Sequence, residues 1–222
     1  MIGFMLDLRF NNNKTFMDEH REQYHQLMRD PYYAFIETAA PAMRAIDDRM
    51  EVRPYKALSR IYRDTRFTKD KSPYRDHHWL TFRREGEPRE KSLMFWLEIR
   101  VERISWGLGF WGENKPAMDI FRRRMLAYPD DVMRALPDTG QGSNLQLAGD
   151  QYKRMSVPES LLTALKPWYL QKELLVSRLG IDHQIIYTKA VLDEFLRDCD
   201  RMAPLYRMLR GCYDQSLIMG EI

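Results

Sequence analysis

The chain has 222 residues, of which 44% are apolar and 30% charged, with a formal charge of +3 and a pI near 8.8. This composition excludes the disordered and collagen-like classes, and the length fits a single domain, residues 1–222, with one sizeable core. So small a basic excess does not mark a nucleic-acid binder unless the cations cluster on one face.

The first residues, Met1 to Asp7, lack a basic start, and Asp7 breaks their apolar run where a secretory signal would continue. No apolar stretch approaches the roughly 18 residues of a membrane span. The expected location is cytoplasmic, without membrane contact. Asn11 to Asn13 offer N-caps for a helix in which Phe16, His20, Tyr24, Leu27 and Met28 recur at helical spacing. Asp30-Pro31 should end it and start another, with Tyr32, Phe35, Ile36, Ala39, Met43 and Ile46 inward and Pro41 kinking or dividing it.

From Leu58 the period changes. Leu58 to Arg63 and Trp79 to Arg84 read as short strands, and Ser92 to Val101 as the clearest one. There Leu93, Phe95, Leu97, Ile99 and Val101 alternate with Met94, Trp96, Glu98 and Arg100. Glu102-Arg103 links this strand to Ile104–Trp111 as an antiparallel hairpin. A helix from Pro116 to before Pro129, a shorter one over Asp131–Leu136 and a polar loop over Asp138–Ser143 follow. Next come a strand near Leu145–Leu147, a helix from Pro158 into Pro167, and a strand near Leu174–Ser177. The last helix runs from Thr188 to about Arg201, and Pro204 starts a final helical segment. Clustered strands between terminal helices predict an α+β fold with a mainly antiparallel sheet, the alternative being a doubly wound one.

Arg60 to Arg75 is the candidate functional segment. It holds the cations Arg60, Arg63, Arg66, Lys69, Lys71 and Arg75 against only Asp64 and Asp70. Arg60, Arg63, Arg66 and Lys71 suit a phosphate or carboxylate, since guanidinium forks grip such groups bidentately and an ammonium adds a point charge. Asp64 and Asp70 would orient the cations or act as a general base, with Tyr74 as a hydrogen-bonding partner. Two alternatives use the same residues. One is a nucleic-acid surface with Trp79 or Tyr74 stacking on bases. The other is an ion-pair network whose role is purely structural or partner-binding.

The string Arg63-Asp64-Thr65-Arg66-Phe67, then Asp70-Lys71 and Pro73-Tyr74, resembles the hallmark of the family catalogued as domain of unknown function twenty-four sixty-one. Asn12-Asn13, Phe16, Tyr24, Tyr152-Lys153-Arg154, Lys172 and Pro204-Leu205 extend the resemblance over nearly the whole chain. Phe16-Met17 departs from the family's usual Trp-Phe. The resemblance stresses the positions that charge counting selects and implies no activity, substrate or cofactor.

Other candidates are weaker. Gly107-Leu108-Gly109-Phe110-Trp111-Gly112 matches the dinucleotide pattern, but Pro116 puts the helix start beyond the third glycine, so no cofactor is expected. On a strand, Gly107 and Gly109 leave one face bare, which predicts close approach by an aromatic ring or a ligand and offers a pocket floor. His77 and His78 would face opposite sides of a strand and cannot chelate one metal. Cys199 and Cys212 fall on nearly opposite helix faces, and Arg122-Arg123-Arg124 reads as a solvated face.

Overall fold

The computed structural model describes residues 1–220. The chain opens with α1 (Ile2–Phe10), α2 (Lys14–Glu19), α3 (Arg21–Tyr24), a π-helical turn (His25–Arg29) and α4 (Asp30–Ile46). Asn13 caps α2 by accepting from the Phe16 amide at 2.9 Å. The expected stop at Asp30-Pro31 does not occur. A wider π turn takes up the break at the proline, which has no N–H to give, and the helical path continues. Nor does Pro41 divide α4, which runs unbroken to Ile46.

After α5 (Pro54–Ala57) come β1 (His78–Arg83), β2 (Leu93–Ile99) and β3 (Ile104–Phe110). The segment expected as a strand from Leu58 to Arg63 is instead irregular. Leu58 bridges Leu80 and Tyr62 bridges Tyr74, so it guards the β1 edge without forming a ladder. Then follow α6 (Lys115–Ala127), α7 (Pro129–Ala135), β4 (Leu145–Ala148), α8 (Lys166–Tyr169), β5 (Leu175–Ile181) and α9 (Ala190–Ile218). Pro158 begins no helix, and only a 3-10 turn at Thr163–Leu165 precedes α8.

The sheet has the order β1-β2-β3-β5-β4, and every neighbouring pair is antiparallel. The fold is therefore α+β, as the clustering of strands predicts. Phe82, Phe95, Trp106, Leu108 and Val176 are buried on one face, against which α9 packs. Within α9, Phe195, Cys199, Met202, Tyr206, Leu209 and Tyr213 are buried at alternating spacings of four and three. This stripe explains why the helix runs through Pro204. A helix-interior proline costs about 3 kcal/mol, whereas each large apolar side chain buried contributes about 2 kcal/mol. Cys199 and Cys212 are both free and buried. Among the described residues no helix is long and apolar enough to cross a membrane.

The other face carries Trp79, Met94, Trp96, Glu98, Gly107, Gly109 and Leu175, fixed by the pairs Trp79↔Glu98, Trp96↔Gly107, Met94↔Gly109 and Gly109↔Leu175. What approaches the glycines most closely is β5, its main chain at both and the Leu175 side chain at Gly109, and not an aromatic ring. A Cβ on Gly107 would sit 2.1 Å from the Val176 carbonyl oxygen, and one on Gly109 2.4 Å from that of Leu174. The bare strip lets β5 close tightly on β3.

Candidate functional site

The charged segment folds back on itself. The Arg63 amide donates to the Pro73 carbonyl at 2.9 Å and the Arg75 amide to that of Ile61 at 2.7 Å, so residues 61–63 and 73–75 form the stem of a loop. Asn12 docks this stem to the N-terminal helices. Its side-chain amide donates to the Tyr74 carbonyl at 2.8 Å and its oxygen accepts from the Tyr74 amide at 3.0 Å, as a neighbouring strand would. Tyr74 is only 3% exposed and packs on Tyr62, so its ring offers no free face for a base.

Within the loop, the motif charges are spent on one another. Arg66 donates to Asp64 through Nε at 3.0 Å and Nη2 at 2.7 Å. Arg63 pairs with Asp70, and Lys71 donates to the Thr65 carbonyl at 2.8 Å. The Arg66 fork lowers the Asp64 pKa to about 2. Hydrogen bonds from the Ser72 hydroxyl and then Arg63 hold Asp70 far below the usual carboxylate range. Both acids are anions at neutral pH and poor general bases. The Arg66 side chain is 76% exposed.

A cavity of about 810 Å³ opens on the uncovered sheet face. Its floor is Met94, Trp96 and Gly109, its walls include Trp79 and Trp111, and residues of α1 and the loop stem form part of its rim. The structure brings Arg63, Asp70 and Tyr74 to this cavity. It leaves Asp64, Arg66 and Lys71 outside, and Arg60 lines a separate groove with Arg21, Arg29 and several tyrosines. Gly109 does belong to a pocket floor.

Residues that sequence reasoning passed over complete the site. Asp76 accepts from His77 Nδ1 at 2.9 Å and from Arg9 Nε at 2.5 Å. Burial raises its pKa, but these two partners outweigh that and hold it below the usual value. Glu98 accepts from Arg100 at 2.8 Å and lies 3.7 Å from His77 Nε2. Burial likewise raises Glu98, and Arg100, His77 and Arg103 together more than offset it. The His77 ring thus lies between two carboxylates, with Nδ1 on Asp76 and Nε2 towards Glu98, an arrangement able to move a proton. His78 points the other way into the core, between Ser59 at 3.0 Å and Tyr24 at 3.2 Å. Among the described residues no group of three or more His, Cys, Asp or Glu side chains is placed to hold a metal.

Arg75 differs from Arg9, Arg63 and Arg100, the other arginines that line the cavity. Its guanidinium lies 4.6 Å over the Trp79 ring, and among the described residues it has no hydrogen bond or ion pair. Its Nε and the Trp79 Nε1 are both buried without an acceptor. Burial lowers its pKa, and the like charges of Arg63 and Arg60 add to the shift. Arg89 reaches the same aromatic wall, 5.9 Å from Trp79 and 5.6 Å from Trp111.

A family model described as a conserved hypothetical protein, DUF2461, matches residues 1–208. The chain belongs to this family. No curated protein matches it. Several positions in the DUF2461 resemblance have structural duties: Asn12 clamps Tyr74, Asn13 caps α2, and Lys172 pairs with Glu113. Arg122, read from sequence as part of a solvated face, is instead buried. It donates to the carbonyls of Tyr169 and Gln171 and lies over Tyr152, another of those positions. Trp96 and Glu98 on β2, with Arg100 just beyond it, are the sequence signal for the cavity wall.

Proposed function

We propose that the protein binds a small ligand bearing a phosphate or carboxylate in the 810 Å³ cavity, with Arg75 as the principal anion contact and Arg63 beside it. The observation that carries this reading is the unpartnered Arg75 guanidinium, since a part-buried cation without a carboxylate is costly unless something else supplies the negative charge. Trp79 Nε1 adds a second donor without an acceptor. Arg66 and Lys71 then serve mainly to shape the loop that carries Arg63 to the rim. Turnover is the extension of this reading: His77 would accept the proton, with Asp76 fixing its tautomer.

A thermal-shift screen against inorganic phosphate, citrate and a set of sugar phosphates tests the proposal. Wild type and Arg66→Ala are expected to be stabilised by the same compounds, and Arg75→Gln by none. Equal stabilisation of Arg75→Gln would remove Arg75 from the site. A second reading, in which the motif is an architectural brace, is favoured by the internal pairing of Arg63, Arg66 and Lys71. It requires that no compound shift the melting temperature and that loop substitutions lower it.

A further inference from the structure

The charge of the cavity lining narrows the ligand further. Six of its eight ionised Arg, Asp and Glu side chains form three pairs within the protein, Arg9 with Asp76, Arg63 with Asp70 and Arg100 with Glu98. The two left over are of opposite sign. Arg75 has no acidic partner, and Glu173 has no basic partner, although its neighbour Lys172 is paired with Glu113. Nor do Arg75 and Glu173 pair with each other. Their surroundings also differ: Arg75 lies on the Trp79 wall, while Glu173 precedes Leu174 and Leu175, which close on Gly109 of the floor. The cavity floor adds the aromatic surface of Trp96.

A pure anion answers only half of this arrangement. It would satisfy Arg75 and bring a second negative charge into the cavity that holds Glu173, which like-charge repulsion disfavours. We propose that the ligand is a zwitterion, an anionic group for Arg75 and an ammonium or similar cation for Glu173 joined by an apolar or aromatic body. This inference rests on the anion-binding reading above and deepens it. It assigns Glu173 as the determinant that separates amino-bearing anions from simple ones.

Three matched probes test it: 4-(aminomethyl)benzoate, which carries both charges, 4-methylbenzoate, which carries only the anion, and 4-methylbenzylamine, which carries only the cation. Because 6-aminohexanoate and hexanoate form a flexible version of the first two, a fixed spacing does not decide the outcome. Affinities are read by calorimetry on the full chain, with thermal melts confirming that each variant folds. Wild type is expected to bind each zwitterion about tenfold more tightly than its simple anion, the order expected for one added charge pair at a partly desolvated site. Glu173→Gln should erase that ratio, weakening the zwitterions and tightening the simple anions, while Arg75→Gln should weaken both kinds. Equal affinity for zwitterion and anion in wild type, both dependent on Arg75, would overturn the zwitterion inference and leave the anion site standing. Absence of binding by every probe would overturn both.

Discussion

Lowering the pH should destabilise this protein through His78, by an amount the structure allows to be worked out. The imidazole is fully buried between the Ser59 hydroxyl at 3.0 Å and the Tyr24 hydroxyl at 3.2 Å, and burial lowers its pKa from 6.5 to about 4. Between those values the unfolded chain binds a proton that the folded chain refuses, so stability is full above pH 6.5 and falls as the pH drops towards 4. At about 1.4 kcal/mol per pH unit the loss from this residue is about 3 kcal/mol. Urea denaturation at intervals from pH 7 to 4 measures it, with His78→Gln as the reference that cannot titrate there. The wild-type curve should fall about 3 kcal/mol further than the variant's over this range. Parallel curves would mean that the imidazole is protonated in place and that the burial argument is wrong.

Gly107→Ala should lower the melting temperature, because the new Cβ meets a β5 carbonyl oxygen at 2.1 Å and overpacking of this kind costs about 1–3 kcal/mol; calorimetry reads it. Asp198→Ala should cost about 3–5 kcal/mol in chemical denaturation, since the buried carboxylate accepts from Trp106 Nε1 at 2.9 Å and Arg178 Nη1 at 3.0 Å. Arg66→Ala, at an exposed pair confined to the loop, should leave the denaturation midpoint unchanged. A clear drop there would favour the brace reading.

Strands were legible wherever alternation was strict. Ser92–Val101 and Ile104–Trp111 correspond to β2 and β3, because large apolar side chains at every second position build the face that packs on the core. Helix boundaries at prolines were legible at α6, which opens at Lys115-Pro116 and ends before Pro129, but not in the long helical runs. Pro31 and Pro204 read as breaks and Pro41 as a kink or a break, yet continuous apolar stripes on both sides of each keep the helical path intact. Leu58–Arg63 has strand-like residues, but bridges at only Leu58 and Tyr62 tie it to its neighbours. For the candidate site, charge density picked out a segment of which Arg63, Asp70 and Tyr74 reach the cavity. Sequence could not show which cations are neutralised locally. Arg66 and Asp64 two residues apart, or Arg63 and Asp70 seven apart, cancel through loop geometry. Arg75 escapes cancellation because its backbone bond to Ile61 lays the side chain against Trp79. The surplus of the segment likewise vanishes at the cavity, where Asp76, Glu98 and Glu173 arrive from elsewhere in the chain.

Arginine Nε–Hε resonances followed during a titration with inorganic phosphate report whether the Arg75 guanidinium takes up a ligand's negative charge. Arg75 should show a saturable downfield shift, with Arg66, already held by Asp64, unmoved. A shift at Arg66 with none at Arg75, or no saturable change at either, would contradict the account.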